Sequence, residues 1–101
     1  ELASNSYDQV RRQLDRLDFS VVTPTKLPGD FQLVGARYCS IQGNIAAQLR
    51  LTKNGSNYTL YQSLVPSGYK PPKRPIVIDD NGNKIRIWVE RGVLMGLAGP
   101  R

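Results

Sequence analysis

Residues 31–64, FQLVGARYCSIQGNIAAQLRLTKNGSNYTLYQSL, decide the fold. The segment breaks at Gln42-Gly43-Asn44 and again at Asn54-Gly55-Ser56. Asn-Gly between two apolar runs is the strongest short-range hairpin signal, because both residues tolerate the positive φ of a primed turn. The reading is three consecutive antiparallel strands. The middle one alternates most clearly, with Ile45, Ala47, Leu49 and Leu51 inward and Ala46, Gln48, Arg50 and Thr52 outward. The third sets Tyr58, Leu60, Gln62 and Leu64 against Thr59, Tyr61 and Ser63, with the Tyr61 hydroxyl on the side that reaches water. In the first strand neither face is purely polar, which predicts a central strand, and Gly35 inside it predicts a bulge or a close backbone approach.

Upstream, Tyr7, Val10, Leu14 and Leu17 recur on one helical face, so 4–17 is expected to be a short helix. Ser4, Asn5 or Ser6 can cap it, and Asp8 lies in its first turn. A helix this short needs an apolar partner, and the sheet face is the one on offer. Residues 18–23 read as extended up to Pro24, and 26–30 as a turn in which Pro28 presets φ and Gly29 follows.

Downstream, 65–75 (VPSGYKPPKRP) is too rich in proline for a helix or a central strand and reads as an extended connector that leaves the sheet and returns. Ile76-Val77-Ile78 and 84–90 form a second hairpin around Asp79-Asp80-Asn81-Gly82-Asn83. In it Ile85, Ile87 and Val89 face one way and Lys84, Arg86, Trp88 and Glu90 the other. Arg91-Gly92 turns into a last strand, 93–98, with Val93, Met95 and Leu97 on the core face. The fold class is therefore α+β, mainly β: one short N-terminal helix packed on an antiparallel sheet of about six strands, in a single domain over 1–101.

A chain of 101 residues can bury one core without staples. It carries 14 Lys and Arg against 8 Asp and Glu, a net charge of +6, which permits nucleic acid, acidic proteins or anionic surfaces as partners without selecting one. It has no histidine, hence neither the commonest general base nor the commonest transition-metal ligand. Its one cysteine, Cys39, reads as a small apolar strand residue. The Asp79–Asn83 run looks like a calcium loop but has its glycine fourth rather than sixth, so it reads as a hairpin turn. The glycines of 92–99 lack the Lys-Ser/Thr ending and the following helix of a phosphate cradle. No serine has a base or a nucleophile elbow beside it. We expect no enzyme activity, no cofactor and no metal site.

The residues suited to recognition are cations beside aromatic rings: Tyr69, Lys70, Lys73 and Arg74 on the proline-rich connector, with Tyr61 as a neighbouring ring. Such a group fits an acidic protein partner, or single-stranded nucleic acid through stacking. Exposed sheet edges offer docking by strand addition, and the last strand, 93–98, is one candidate.

Two stretches carry a family resemblance. Leu33 to Leu49 (LVGARYCSIQGNIAAQL) with Tyr58-Thr59-Leu60-Tyr61, and Ile87 to Gly99 (IWVERGVLMGLAG), together about half the chain, resemble the extracytoplasmic C-terminal domain of bacterial transmembrane anti-sigma factors. The resemblance implies a single-pass inner-membrane protein with this piece in the periplasm as its sensory half. A cytoplasmic segment outside this sequence would hold an extracytoplasmic-function sigma factor. The start at Glu1 without a methionine is what a fragment of such a protein would show. Its membrane contact would then come through an anchor outside these residues, its partners would be periplasmic proteins, and it would be monomeric or a weak homodimer. The alternatives left open are a nucleic-acid-binding β module using Tyr69 to Arg74 and an envelope domain with no signalling role.

Overall fold

The computed structural model describes residues 2–27, 29–71 and 73–100. Pro28 and Pro72, read above as part of a turn and of the connector, lie outside the described residues. The elements follow the chain as β1 (Leu2–Ala3), α1 (Tyr7–Gln13), β2 (Gln32–Ile41), β3 (Asn44–Lys53), β4 (Ser56–Leu64), β5 (Ile76–Asp80), β6 (Asn83–Glu90) and β7 (Val93–Pro100). All strands join one antiparallel sheet in the order β1-β2-β3-β4-β7-β6-β5.

The expected mainly β architecture is present, with one strand beyond the expected count, the two-residue β1 on Gly35 and Ala36. The four hairpins close on two-residue turns with both central φ angles positive: Gln42-Gly43, Asn54-Gly55, Asn81-Gly82 and Arg91-Gly92. That is the primed geometry whose twist matches the flanking strands. Within the Asp79–Asn83 run the turn of the β5–β6 hairpin is Asn81-Gly82 alone, Asp79 and Asp80 ending β5 and Asn83 opening β6. The register of β2 on β3 slips between Leu33 and Gly35, which is the bulge that the glycine announces. The slip moves Ala36 and Tyr38 onto the face of Leu33, reversing a strict two-residue alternation along β2.

Two expectations are corrected. The helix is shorter than 4–17: Ser6 caps it by accepting the Gln9 N–H at 3.2 Å, and Leu14 ends it with its N–H on the Val10 carbonyl at 2.8 Å. Ending there lets the chain turn and lay Leu17, Phe19 and Val21 along the sheet, contacts a straight helix could not make. The last strand is not an edge. β7 lies between β4 and β6 with ladders on both sides, because the connector carries the chain past β4 and the hairpin returns inward. The sheet's free ends are β1 and β5.

The core lies on one face of the sheet. Leu33, Ala36, Ala47, Leu49, Leu51, Leu60, Trp88, Val93 and Met95 point into it, and Val10, Leu14 and Val21 cover them from the helix and the segment after it. Residues 15–27 and 29–31 form no strand, yet they are held across the sheet like a strap. Gln62 and Glu90 reach up from β4 and β6 to bond its backbone, Arg11 bonds the Val21 carbonyl at 2.7 Å and the Thr23 hydroxyl at 2.9 Å, and the Arg16 N–H donates to the Tyr38 hydroxyl. On the other face the register lines up Ile76, Ile78, Ile85, Ile87, Val89 and Leu94, and no helix or strand among the described residues covers them. Ala46, also on that face, is nevertheless fully buried. No helix among the described residues is long and apolar enough to cross a membrane.

Candidate protein-docking surface

The sequence-predicted recognition residues separate into two places. Tyr69, Lys70, Lys73 and Arg74 stand exposed on the connector. The Tyr69 N–H donates to the Pro66 carbonyl at 3.0 Å, closing a turn in which Gly68 takes a positive φ of 81°. Lys73 and Arg74 then lead through Pro75 directly into β5. Tyr61 is elsewhere. It sits half-buried within β4, opposite Gln48 and Gly96 on the uncovered face. The ring contact found among the described aromatic residues is Phe31 on Tyr58, not Tyr61 on Tyr69. The structure thus joins the basic connector to a sheet edge, not to a second stacking ring.

That edge is the feature sequence reasoning missed. Ile76, Val77 and Ile78 of β5 are 40%, 48% and 44% exposed, in a protein whose other large aliphatic side chains are mostly covered. An edge strand offers unpaired N–H and C=O groups, and a β-branched edge offers them on a backbone already extended. The sequence signal was available: Lys73-Arg74-Pro75 before the strand and Asp79-Asp80 at its end are the flanks that natural sheets place around an exposed edge.

A shallow cleft of about 220 Å³ opens at the end of the covered face, lined by Phe31, Lys53, Tyr58, Lys84, Arg86 and Leu97. It is smaller than the roughly 300–1,000 Å³ of pockets that enclose drug-sized ligands. Its floor is aromatic, with Phe31 edge-on to Tyr58 at 4.9 Å and the Lys53 ammonium 5.0 Å above the Phe31 ring. Lys53 also lies 3.9 Å from Asp30. Three cations around an aromatic floor suit an anionic side chain laid across the surface rather than an enclosed substrate. The Tyr58 ring rests on Gly99, where an added Cβ would overlap the ring atoms. Gly99→Ala is therefore expected to cost about 1–3 kcal/mol by pushing Tyr58 off Phe31. In a double-mutant cycle of thermal unfolding, Tyr58→Ala should remove most of that cost; additive losses would show that Tyr58 is not what confines position 99.

The titratable groups with shifted equilibria serve structure. Burial pushes the Cys39 thiol up, an effect that nearby Arg37 only partly offsets, which is the reverse of what a nucleophilic thiolate needs. Burial likewise raises the Tyr7 hydroxyl. Burial of Glu90 pushes its carboxyl up, but hydrogen bonds from the Thr25 N–H and hydroxyl, the Trp88 indole and the Lys26 N–H outweigh it and hold the group below the ordinary carboxylate range. Among the described residues no three metal-ligating side chains gather. No protein family, curated protein or solved structure matches this chain.

Proposed function

We propose that this domain is the non-catalytic extracytoplasmic sensor and interaction module of a transmembrane anti-sigma factor, controlling release of an extracytoplasmic-function sigma factor by docking another protein. The observation that carries the docking part is the open apolar edge of β5 with the basic connector leading into it. Main-chain bonds along such an edge give affinity, and flanking charges select the partner. Support for the family part is the sequence resemblance. Its residues fall on β2, β3, β4, β7 and β6, five neighbouring strands in that order, so they describe one continuous piece of sheet. A signal acts through such a module only by favouring one of two states, bound or unbound.

The test uses the full-length gene product in bacterial cells, with a transcriptional reporter for the cognate sigma factor. Paired Ile76→Lys and Ile78→Lys substitutions should change reporter output several-fold at equal protein level, because they charge the edge without touching the core. Unchanged output on both the paired substitution and deletion of the whole domain would remove the regulatory reading. The nucleic-acid alternative is an arm of the same test. The domain should leave a single-stranded oligonucleotide unshifted at low salt, and a salt-dependent shift abolished by Lys73→Glu and Arg74→Glu would replace our reading.

A further inference from the structure

We propose that two copies of this chain join edge to edge through β5, antiparallel, with Val77 of each copy on the twofold axis. The inference deepens the docking part of the reading above and rests on it, while being independent of sigma-factor control.

The argument starts from the turn. Asn81-Gly82 is a two-residue primed turn, with φ of 49° and 84°, and it joins the paired residues Asp80 and Asn83. A turn of this kind closes on a pair that exchanges both backbone bonds, and such pairs then alternate along the ladder. Ile78 and Ile76 therefore bond to Ile85 and Ile87 of β6, and the N–H and C=O of Val77 point to the open edge. Pro75, in phase with Val77, has no N–H to present, the usual placement of proline on an edge.

The charges then choose the geometry. Read along the chain, the edge is basic at Lys73-Arg74, apolar at Ile76-Val77-Ile78 and acidic at Asp79-Asp80. Parallel pairing of two such strands in register would set like charges side by side. Antiparallel pairing centred on Val77 sets Ile76 opposite Ile78 of the second copy and brings the basic end of each segment toward the acidic end of the other. Val77 faces its own counterpart and exchanges both outward backbone bonds with it. Sliding by two residues in one direction sets Val77 against Pro75, which cannot return a bond. Sliding by two in the other sets Asp79 against Val77, a carboxylate against an isopropyl group. One register thus satisfies backbone, apolar contacts and charge together, which is how cross-strand pairs specify a partner. The twofold axis stands perpendicular to the sheet, so the uncovered faces of both copies run on as one surface and the isoleucines of β5 gain neighbours on both sides.

The opposite edge has no such property. β1 covers only Gly35 and Ala36 there, and the stretch of β2 beyond it, Arg37 to Ile41, has no basic-to-acidic order to set a register with a second copy.

The experiment is sedimentation equilibrium of the chain in a Cys39→Ser background, from about 10 µM to about 1 mM, the range in which small edge contacts register. The mass should climb from 11.3 kDa toward twice that value. Val77→Pro should weaken association by about tenfold or more, since it deletes the two central bonds, while the β5–β6 ladder keeps all of its own. Far-UV circular dichroism should stay unchanged. Should the proline disturb the hairpin, Ile76→Lys with Ile78→Lys gives the same loss through charge repulsion. In the Cys39→Ser background Val77→Cys should be joined into a covalent dimer by a short bismaleimide linker, because facing bonded residues lie only about 5.5 Å apart. Ile85→Cys, one strand in, should not. A chain that stays monomeric throughout, a dimer indifferent to Val77→Pro, or equal crosslinking at both positions would overturn the proposal. The cell reporter and the sedimentation series read different quantities, so either reading can fail alone.

Discussion

Replacing Glu90 with alanine is expected to lower the stability of the domain by about 3–5 kcal/mol. The side chain is 6% exposed at the end of β6, where an alternating strand pattern would put it on the face of Trp88 and, beyond it, the cationic Arg86 and Lys84. Its two oxygens accept from the Thr25 N–H at 3.1 and 3.0 Å, from the Thr25 hydroxyl at 2.8 Å, from the Lys26 N–H at 3.1 Å and from the Trp88 indole N–H at 3.0 Å. One carboxylate thereby ties the strap over the core to the sheet beneath it. Alanine leaves two backbone N–H groups and an indole N–H without an acceptor, and desolvated donors are costly. Glutamine keeps the shape and, with its oxygen at Oε1 and its NH2 donating to the Thr25 hydroxyl, still meets these partners but gives up the charge, so Glu90→Gln should cost less than alanine, about 1–2 kcal/mol. The chain has a single tryptophan, so its fluorescence reports on this site directly. Urea midpoints followed at Trp88 should fall in both variants, and a glutamine variant as stable as the parent would refute the assignment.

The same group sets the acid limit of the fold. In the unfolded chain a glutamate titrates near 4.3. In the folded protein, hydrogen bonding holds Glu90 lower despite its burial. Below the unfolded value the unfolded chain therefore takes up protons first. The stability contributed by the shift is fully present above that value and is lost as pH falls through the folded one. Urea midpoints between pH 7 and about 3 should decline steeply in the parent and more shallowly in Glu90→Gln, which has no proton to take up there. Parallel acid limbs in the two proteins would assign the transition to other carboxylates.

What could be read from the chain, and what could not, follows from the range of each signal. Asn54-Gly55 and the alternation of β3 act over a few residues and announced their hairpin and their buried face. Gly35 announced its bulge for the same reason. The two residues of β1 are too few to show any period, and only their pairing with Gly35 and Ala36 makes them a strand. The interior place of β7 depends on where the connector returns, a long-range choice that no local pattern carries. The open edge of β5 is a property of strand order for the same reason, though its charged flanks stood in plain sight. Gln62 and Glu90 look like surface positions in a list of residues because their partners lie 40 and 65 positions away along the chain. Tyr61 and Tyr69 are close along the chain, but one belongs to β4 and the other to the connector beyond it, which proximity in sequence does not show.

Gln62 is where that long-range dependence predicts the second large effect. Its side chain is wholly buried in β4. The Val22 N–H donates to its Oε1 at 2.9 Å, and its Nε2 donates to the Val22 carbonyl at 2.8 Å. The amide thus does for the strap what a neighbouring strand would do, satisfying both backbone groups of one residue. Leucine fills nearly the same space, so Gln62→Leu creates little cavity but leaves two part-buried backbone groups of Val22 without their partner, at about 1–2 kcal/mol each. A loss of about 2–4 kcal/mol is expected, with Val22 among the amides whose hydrogen exchange accelerates most. Gln62→Glu separates the two bonds. Its carboxylate can accept from the Val22 N–H but meets the Val22 carbonyl with a second oxygen, so the folded state favours the protonated acid and raises its pKa above the unfolded value. Stability from that shift is present at low pH and lost as pH rises through the folded value, the opposite sign to Glu90. Gln62→Glu should therefore lie closest to the parent near pH 4 and fall away toward pH 8. A variant equally weakened at both ends would mean that the strap moves aside and lets water solvate the charge, and that the paired amide is not what holds it down.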